Sequence, residues 1–87
     1  MSKQEKLLQR LLQRTPDLAW NEAVTLMEHR GFKVVNGKGS RRCFFHVASK
    51  IKVFVHEPHP QPIVKKYVQE LLIEGLQNAG EIDDQAS

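Results

Sequence analysis

The stretch GFKVVNGKGSRRCFFHVASKIKVFVH, residues 31–56, decides the fold. Three runs rich in β-branched and aromatic residues, 32–35, 41–48 and 51–55, are separated only by short turns, so each reads as a strand folding back on the one before it. Asn36-Gly37-Lys38-Gly39-Ser40 supplies the first turn and Ser49-Lys50 the second. In the third run Ile51, Val53 and Val55 alternate with Lys52, Phe54 and His56, the period of a strand with one apolar and one mixed face. Phe44 and Phe45 are adjacent, which leaves the phase of the middle strand open.

Outside this stretch the period changes from two to that of a helix. Leu7, Leu8, Leu11 and Leu12 place an amphipathic helix over residues 3–14, and Thr15-Pro16-Asp17 ends it, because proline lacks a backbone donor and disfavours helix in the residue before it. A second helix opens at Asn21 as N-cap, with Glu22 in its first turn and Trp20 just outside. It buries Val24, Leu26 and Met27 and stops at Gly31, with His29 and Arg30 at its carbonyl end. Pro58, Pro60 and Pro62 exclude regular structure over residues 56–62. A last helix, starting at Ile63 or Tyr67 and ending near Asn78, buries Val68, Leu71, Leu72 and Leu76, with Gly80 beyond it. The predicted class is therefore α+β: a three-stranded antiparallel sheet with helices packed on one face, plus an N-terminal helix. The organisation is a helical extension over residues 1–16, a folded domain over 17–82, and a tail that frays from Glu81 and is disordered over 83–87.

Composition narrows the function. A chain of 87 residues, 40% hydrophobic and 26% charged, holds one small core and is neither disordered nor large enough for multistep chemistry on a bulky cofactor. No apolar run approaches the ~18 residues of a membrane span and no secretion segment follows Met1, so a cytoplasmic protein is expected, and the single Cys43 fits a reducing compartment. The formal net charge of +3 conceals a strong asymmetry. Residues 31–66 carry Lys33, Lys38, Arg41, Arg42, Lys50, Lys52, Lys65 and Lys66 against Glu57 alone, a net +7, whereas residues 67–87 carry five acids and no base. Such a concentrated field is the footprint of a polyanion partner; the competing explanation is a basic face that meets only solvent, or an acidic protein.

Four elements in order, Arg30-Gly31-Phe32, Gly37-Lys38-Gly39-Ser40-Arg41, Val55-His56-Glu57-Pro58-His59-Pro60 and Asn78-Ala79-Gly80, resemble the HicA family of bacterial toxins over Trp20 to Ile82. The resemblance implies a fold like a double-stranded-RNA-binding domain, endoribonuclease activity on mRNA that blocks translation and growth, and neutralisation by a HicB-type antitoxin. One departure matters. Many members carry a catalytic histidine after the Gly-Ser, where this chain has Arg41 and Arg42. Metal-free RNA cleavage needs a base for the 2′-hydroxyl, an acid for the leaving oxygen and positive charge for the transition state. A guanidinium, titrating above ~12, supplies only the last of these, while an imidazole near ~6.5 can move protons.

The proton work then falls to His59 and His56, in the loop after the last strand, with Arg41 steadying charge on the phosphate. Without the resemblance, His56 reads as a strand-end residue, His59 as packing between prolines, and His46 as a satisfied strand histidine. Lys38, Arg41, Arg42, Lys50, Lys52, Lys65 and Lys66 are the expected RNA-binding residues. Phe44, Phe45 and Phe54 stack bases if exposed, and otherwise fill the core. No cofactor and no metal is expected: His56, His59, Glu57, Cys43 and His46 lack the spacing that fixes a zinc site, and Gly37-Lys38-Gly39-Ser40 lacks the spacing and following helix of a nucleotide phosphate loop. The expected function is an RNA-cleaving toxin with mRNA and a HicB-type antitoxin as partners. The alternatives are a catalytically degenerate RNA-binding module of the same fold and a pure interaction protein.

Overall fold

The computed structural model describes residues 3–83, so residues 84–87 of the expected tail lie outside the described residues. Its elements follow the order α1 (Lys3–Leu12), α2 (Trp20–His29), β1 (Phe32–Asn36), β2 (Arg41–His46), β3 (Lys52–His56) and α3 (Lys66–Asn78). The three strands form one antiparallel sheet in the order β1-β2-β3, and the helices cover one of its faces.

Register resolves the phase of the middle strand. Phe44 stands opposite Val34 on one side and Val53 on the other, whereas Phe45 stands opposite Lys33 and Lys52. Alternation therefore sends Phe32, Phe44, His46, Val53 and Val55 into the core and turns Lys33, Arg41, Phe45, Lys52, Phe54 and His56 outward. Phe44 is fully buried, and its ring centroid lies 5.5 Å from that of Trp20 in a tilted arrangement.

The N-terminal helix shares this core: Leu7 and Leu11 are buried together with Leu26 and Leu76, and α1 packs on both α2 and α3. The second helix opens two residues earlier than expected, with Ala19 rather than Asn21 as N-cap and the Glu22 carboxylate accepting the Ala19 N–H at 3.0 Å. Tertiary contacts cause the shift. Ala19 forms a β-bridge with Ile63, Trp20 donates its N–H to the Pro62 carbonyl at 2.8 Å, and Trp20, expected just outside the helix, is its first residue with the side chain buried in the core. In α3 the expected burial of Leu71 is not found; Leu71 is exposed, and Gln69 and Ile73 are buried with Val68, Leu72 and Leu76. The helix leans on α1 as well as β3, which turns its buried stripe toward the Gln69 side. There the Gln69 Nε2 donates to the carbonyls of Thr15 at 2.8 Å and Val64 at 2.9 Å, while its Oε1 is buried without a hydrogen-bond partner among the described residues.

From Glu81 the chain is docked rather than frayed. Its carboxylate meets His46 Nε2 at 2.8 Å, its carbonyl accepts from Arg30, and His46 Nδ1 lies 2.7 Å from Ser49 Oγ. The buried His46 thus ties the β2–β3 turn to the segment that follows α3. Gly31, with φ of +89°, leaves room for this imidazole, since a Cβ there would lie 3.2 Å from His46 Nε2.

Gly75 sets the distance between α3 and the sheet. A helix-interior glycine ordinarily gains ~1 kcal/mol on replacement by alanine. Here the added Cβ would fall inside van der Waals contact with Val53 Cγ2, so overpacking of roughly 1–3 kcal/mol opposes that gain. Gly75→Ala is expected to lower the urea midpoint, and a raised midpoint would contradict this close approach.

Candidate functional site

The two arginines that replace the expected histidine have opposite fates, because neighbours on a strand face opposite ways. Arg41 is exposed on the open face of the sheet, where its cross-strand partner is His56. Directly opposed residues bring their Cβ atoms within about 4.5–5.5 Å. Arg42 points to the other side, its side chain only 17% exposed. Its Nε donates to Glu57 Oε1 at 3.0 Å, and its Nη1 reaches the carbonyls of Gly39 at 2.9 Å and Arg41 at 2.7 Å. Arg42 thereby clamps the β1–β2 turn to the end of β3, and the Glu57 N–H donates to the Ser40 carbonyl at 2.7 Å across the same junction. The clamp holds Ser40 and Arg41 against His56.

Ser40 Oγ lies 3.2 Å from His56 Nδ1. When Nδ1–H donates to this hydroxyl, the lone pair resides on Nε2, the tautomer that a general base needs. In sequence Ser40 stands in the first turn and in the Gly-Lys-Gly-Ser motif, but nothing there marks it as a partner of His56; its one legible signal is its position immediately before the arginine pair. His56 also lines a groove of about 530 Å³ with His59, Gln61, Lys65 and Tyr67 among its other walls. His59 is exposed and additionally borders a smaller recess of about 240 Å³ that contains Ser40 and Arg42. The proline-rich loop keeps this shape because both of its flanks are pinned: the first by the Glu57 N–H on the Ser40 carbonyl, the second by the Trp20 N–H on the Pro62 carbonyl and by the Val64 N–H donated to the Leu18 carbonyl at 2.8 Å. Tyr67, 63% exposed at the groove mouth, was not among the expected site residues.

The remaining basic residues divide between the two ends of the sheet. Lys38 lies in the turn beside Ser40, Lys65 caps α3 at the groove, and Lys66 is the exposed first residue of that helix. Lys52 sits at the opposite end of β3, and Lys50 lies in the β2–β3 turn with φ of +69°. Their electrostatic situation differs from that of the N-terminal cations. Arg10 is bridged to Asp17 and Glu22, and Arg14 lies 3.7 Å from Glu70. Among the described residues Lys38, Arg41, Lys50, Lys52, Lys65 and Lys66 have no carboxylate within ion-pair distance, so their charge is available to an external anion. No group of three or more histidine, cysteine, aspartate or glutamate side chains among the described residues is placed to hold a metal ion. No helix among them is long and apolar enough to cross a membrane.

This arrangement can do two things chemically. Arg41 and Lys65 offer positive charge to a phosphodiester, and His56 and His59 offer two imidazoles at one groove. No curated protein and no solved structure matches the chain. The family model described as HicA toxin of bacterial toxin-antitoxin matches residues 20–78. That match runs from the first residue of α2 to the last of α3 and takes in the sheet, the clamp and the groove: the chain belongs to the HicA family of toxins, which act in bacterial toxin–antitoxin systems and are each opposed by a cognate antitoxin.

Proposed function

We propose that this toxin is an endoribonuclease that cleaves mRNA and is neutralised by a HicB-type antitoxin. The observation that carries the reading is the pairing of Arg41 with His56 across β2 and β3, with Ser40 on the imidazole and His59 and Lys65 on the adjoining groove. In the reaction, His56 Nε2 takes the proton of the 2′-hydroxyl as the 2′ oxygen attacks phosphorus. The bond to the 5′ oxygen breaks, His59 returns a proton to that leaving oxygen, and a 2′,3′-cyclic phosphate remains. Arg41 and Lys65 carry the extra negative charge that collects on the non-bridging oxygens. Arg42, held by Glu57, acts as a positioning residue for this cluster. The acid–base pair supplies both proton transfers from protein side chains. An antitoxin covering the Arg41–His56 edge would shut the site by excluding RNA.

Binding is tested through its salt dependence. Single-stranded RNA loses affinity with a slope of about 0.7 per phosphate contact on logarithmic axes. Arg41→Gln and Lys65→Gln are each expected to weaken binding and to reduce the slope by about 0.7, measured by fluorescence anisotropy over a range of salt concentrations. An unchanged slope in both variants refutes the RNA contact. The presence of Arg41 where many relatives have histidine favours one further reading, a degenerate module that binds RNA without cutting it. The two readings part in a gel assay: the proposed enzyme produces fragments ending in a cyclic phosphate, and the degenerate module produces none.

A further inference from the structure

The uncovered face of the sheet is apolar where a solvent-facing sheet is ordinarily polar. Cys43 stands between Val35 and Phe54 in the register, with Phe45 two residues further along β2. Phe54 is 63% exposed and Val35 53% exposed, which puts a full aromatic ring in water at the middle of a small domain. At each end of this band the outward residues are cationic or imidazole: Arg41 with His56 at one end, Lys33 and Lys52 flanking Phe45 at the other. The outward positions of the three strands carry no acidic side chain. Along β2 the distance from Arg41 to Phe45 is about 13 Å.

We infer that this face is a base-stacking platform for unpaired RNA, with Phe54 as its principal ring and Phe45 as a second contact. The inference rests on the proposed ribonuclease reading and names its substrate class as single-stranded. Charge complementarity commits the surface to a polyanion: cations at both ends hold the phosphates, and the ring between them accepts a base face. A duplex cannot use such a ring, because its bases are already stacked inside the helix and present only their edges. A strand laid from Lys52 toward Arg41 crosses Phe54 and delivers a phosphate to the Arg41–His56 pair. The double-stranded-RNA-binding-domain-like fold that the family resemblance implies does not decide this point, since a fold constrains the sites grafted on it only loosely.

The test uses the full chain and 2′-O-methyl RNA ten-mers, which lack the attacking hydroxyl and stay intact. Phe54→Ala is expected to weaken single-strand binding by about 5- to 150-fold, the loss of one base–aromatic stack, and to leave the salt slope unchanged. Phe54→Trp is expected to keep the affinity, and the fluorescence of the added indole to be quenched on binding. An oligomer with abasic positions should bind wild type as weakly as the intact oligomer binds Phe54→Ala. Equal affinity of Phe54→Ala and wild type, or equally tight binding of a duplex, overturns the platform. If Arg41→Gln still weakens binding in that case, the RNA reading stands without it. If wild type binds no RNA at low salt, both readings fall. Loss of antitoxin affinity in Phe54→Ala, with RNA affinity retained, assigns the face to the protein partner instead.

Discussion

Replacing His59 or His56 by alanine is expected to slow cleavage of a single-stranded RNA by about 10²–10⁴-fold and to leave the fold intact. The magnitude follows from removing one proton-transfer group from a step that needs two. His56 is exposed, contacts Ser40 and stands opposite Arg41, and none of these contacts belongs to the core. His59 is likewise exposed in a loop whose anchoring bonds come from the backbone of Pro62 and Val64. Stability changes within about 0.5 kcal/mol are therefore expected for both variants. Single-turnover cleavage rates and urea denaturation, measured on the same preparations, separate chemistry from folding. In cells, induction of the His59→Ala variant should no longer arrest growth, and His56→Ala should weaken the arrest. Full toxicity of the double variant would rule out the imidazole pair. Should toxicity then vanish in Arg41→Ala, charge stabilisation at the position after Ser40 carries the activity.

Phe44→Ala is expected to cost about 3–5 kcal/mol, a large fraction of the ~5–15 kcal/mol that holds a small domain folded. Phe44 is fully buried between the sheet and the helices, stacked at a tilt on Trp20 and opposite Val53. Its removal leaves a cavity at the centre of a core that has no second layer to collapse into it. For a domain of this size the melting temperature should fall by roughly 12–40 °C. Phe45→Ala provides the contrast. Phe45 lies half-buried on the open face, between Lys33 and Lys52, and its loss should cost less than half as much. Equal losses, or the reverse order, would mean that β2 is shifted by one residue, since such a slip exchanges every inward side chain for an outward one.

That contrast also marks where sequence reasoning stops. The strands, their order and the helical ends are legible because each rests on local chemistry: alternation in β3, glycine-rich turns, leucines at helical spacing in α1, and prolines that bar helix from the loop before α3. The adjacency of Phe44 and Phe45 supports either phase. The choice is made only when β2 pairs with β3 and places Phe44 beside Val53. The same choice gives the neighbouring arginines their separate roles, Arg41 outward beside His56 and Arg42 inward on Glu57, a division that two identical residue types cannot reveal.

The basic segment, the family motifs and the histidines of the candidate site could be read directly from residues 31–66, because charge and residue type do not depend on packing. The groove could not. Its walls exist because residue 63 is bridged to residue 19 and the Leu18 carbonyl holds Val64, contacts between segments far apart in the chain that no local period encodes. Leu71 is exposed against expectation, and Gln69 buried, for the same reason: the helical period defines a stripe, but packing against α1 as well as the sheet decides how that stripe is turned. Sequence alone determined which elements this protein forms and which charged and imidazole groups it carries. Tertiary structure decided which of those groups meet, because facing and proximity are set by long-range register and by the order in which helices cover a sheet.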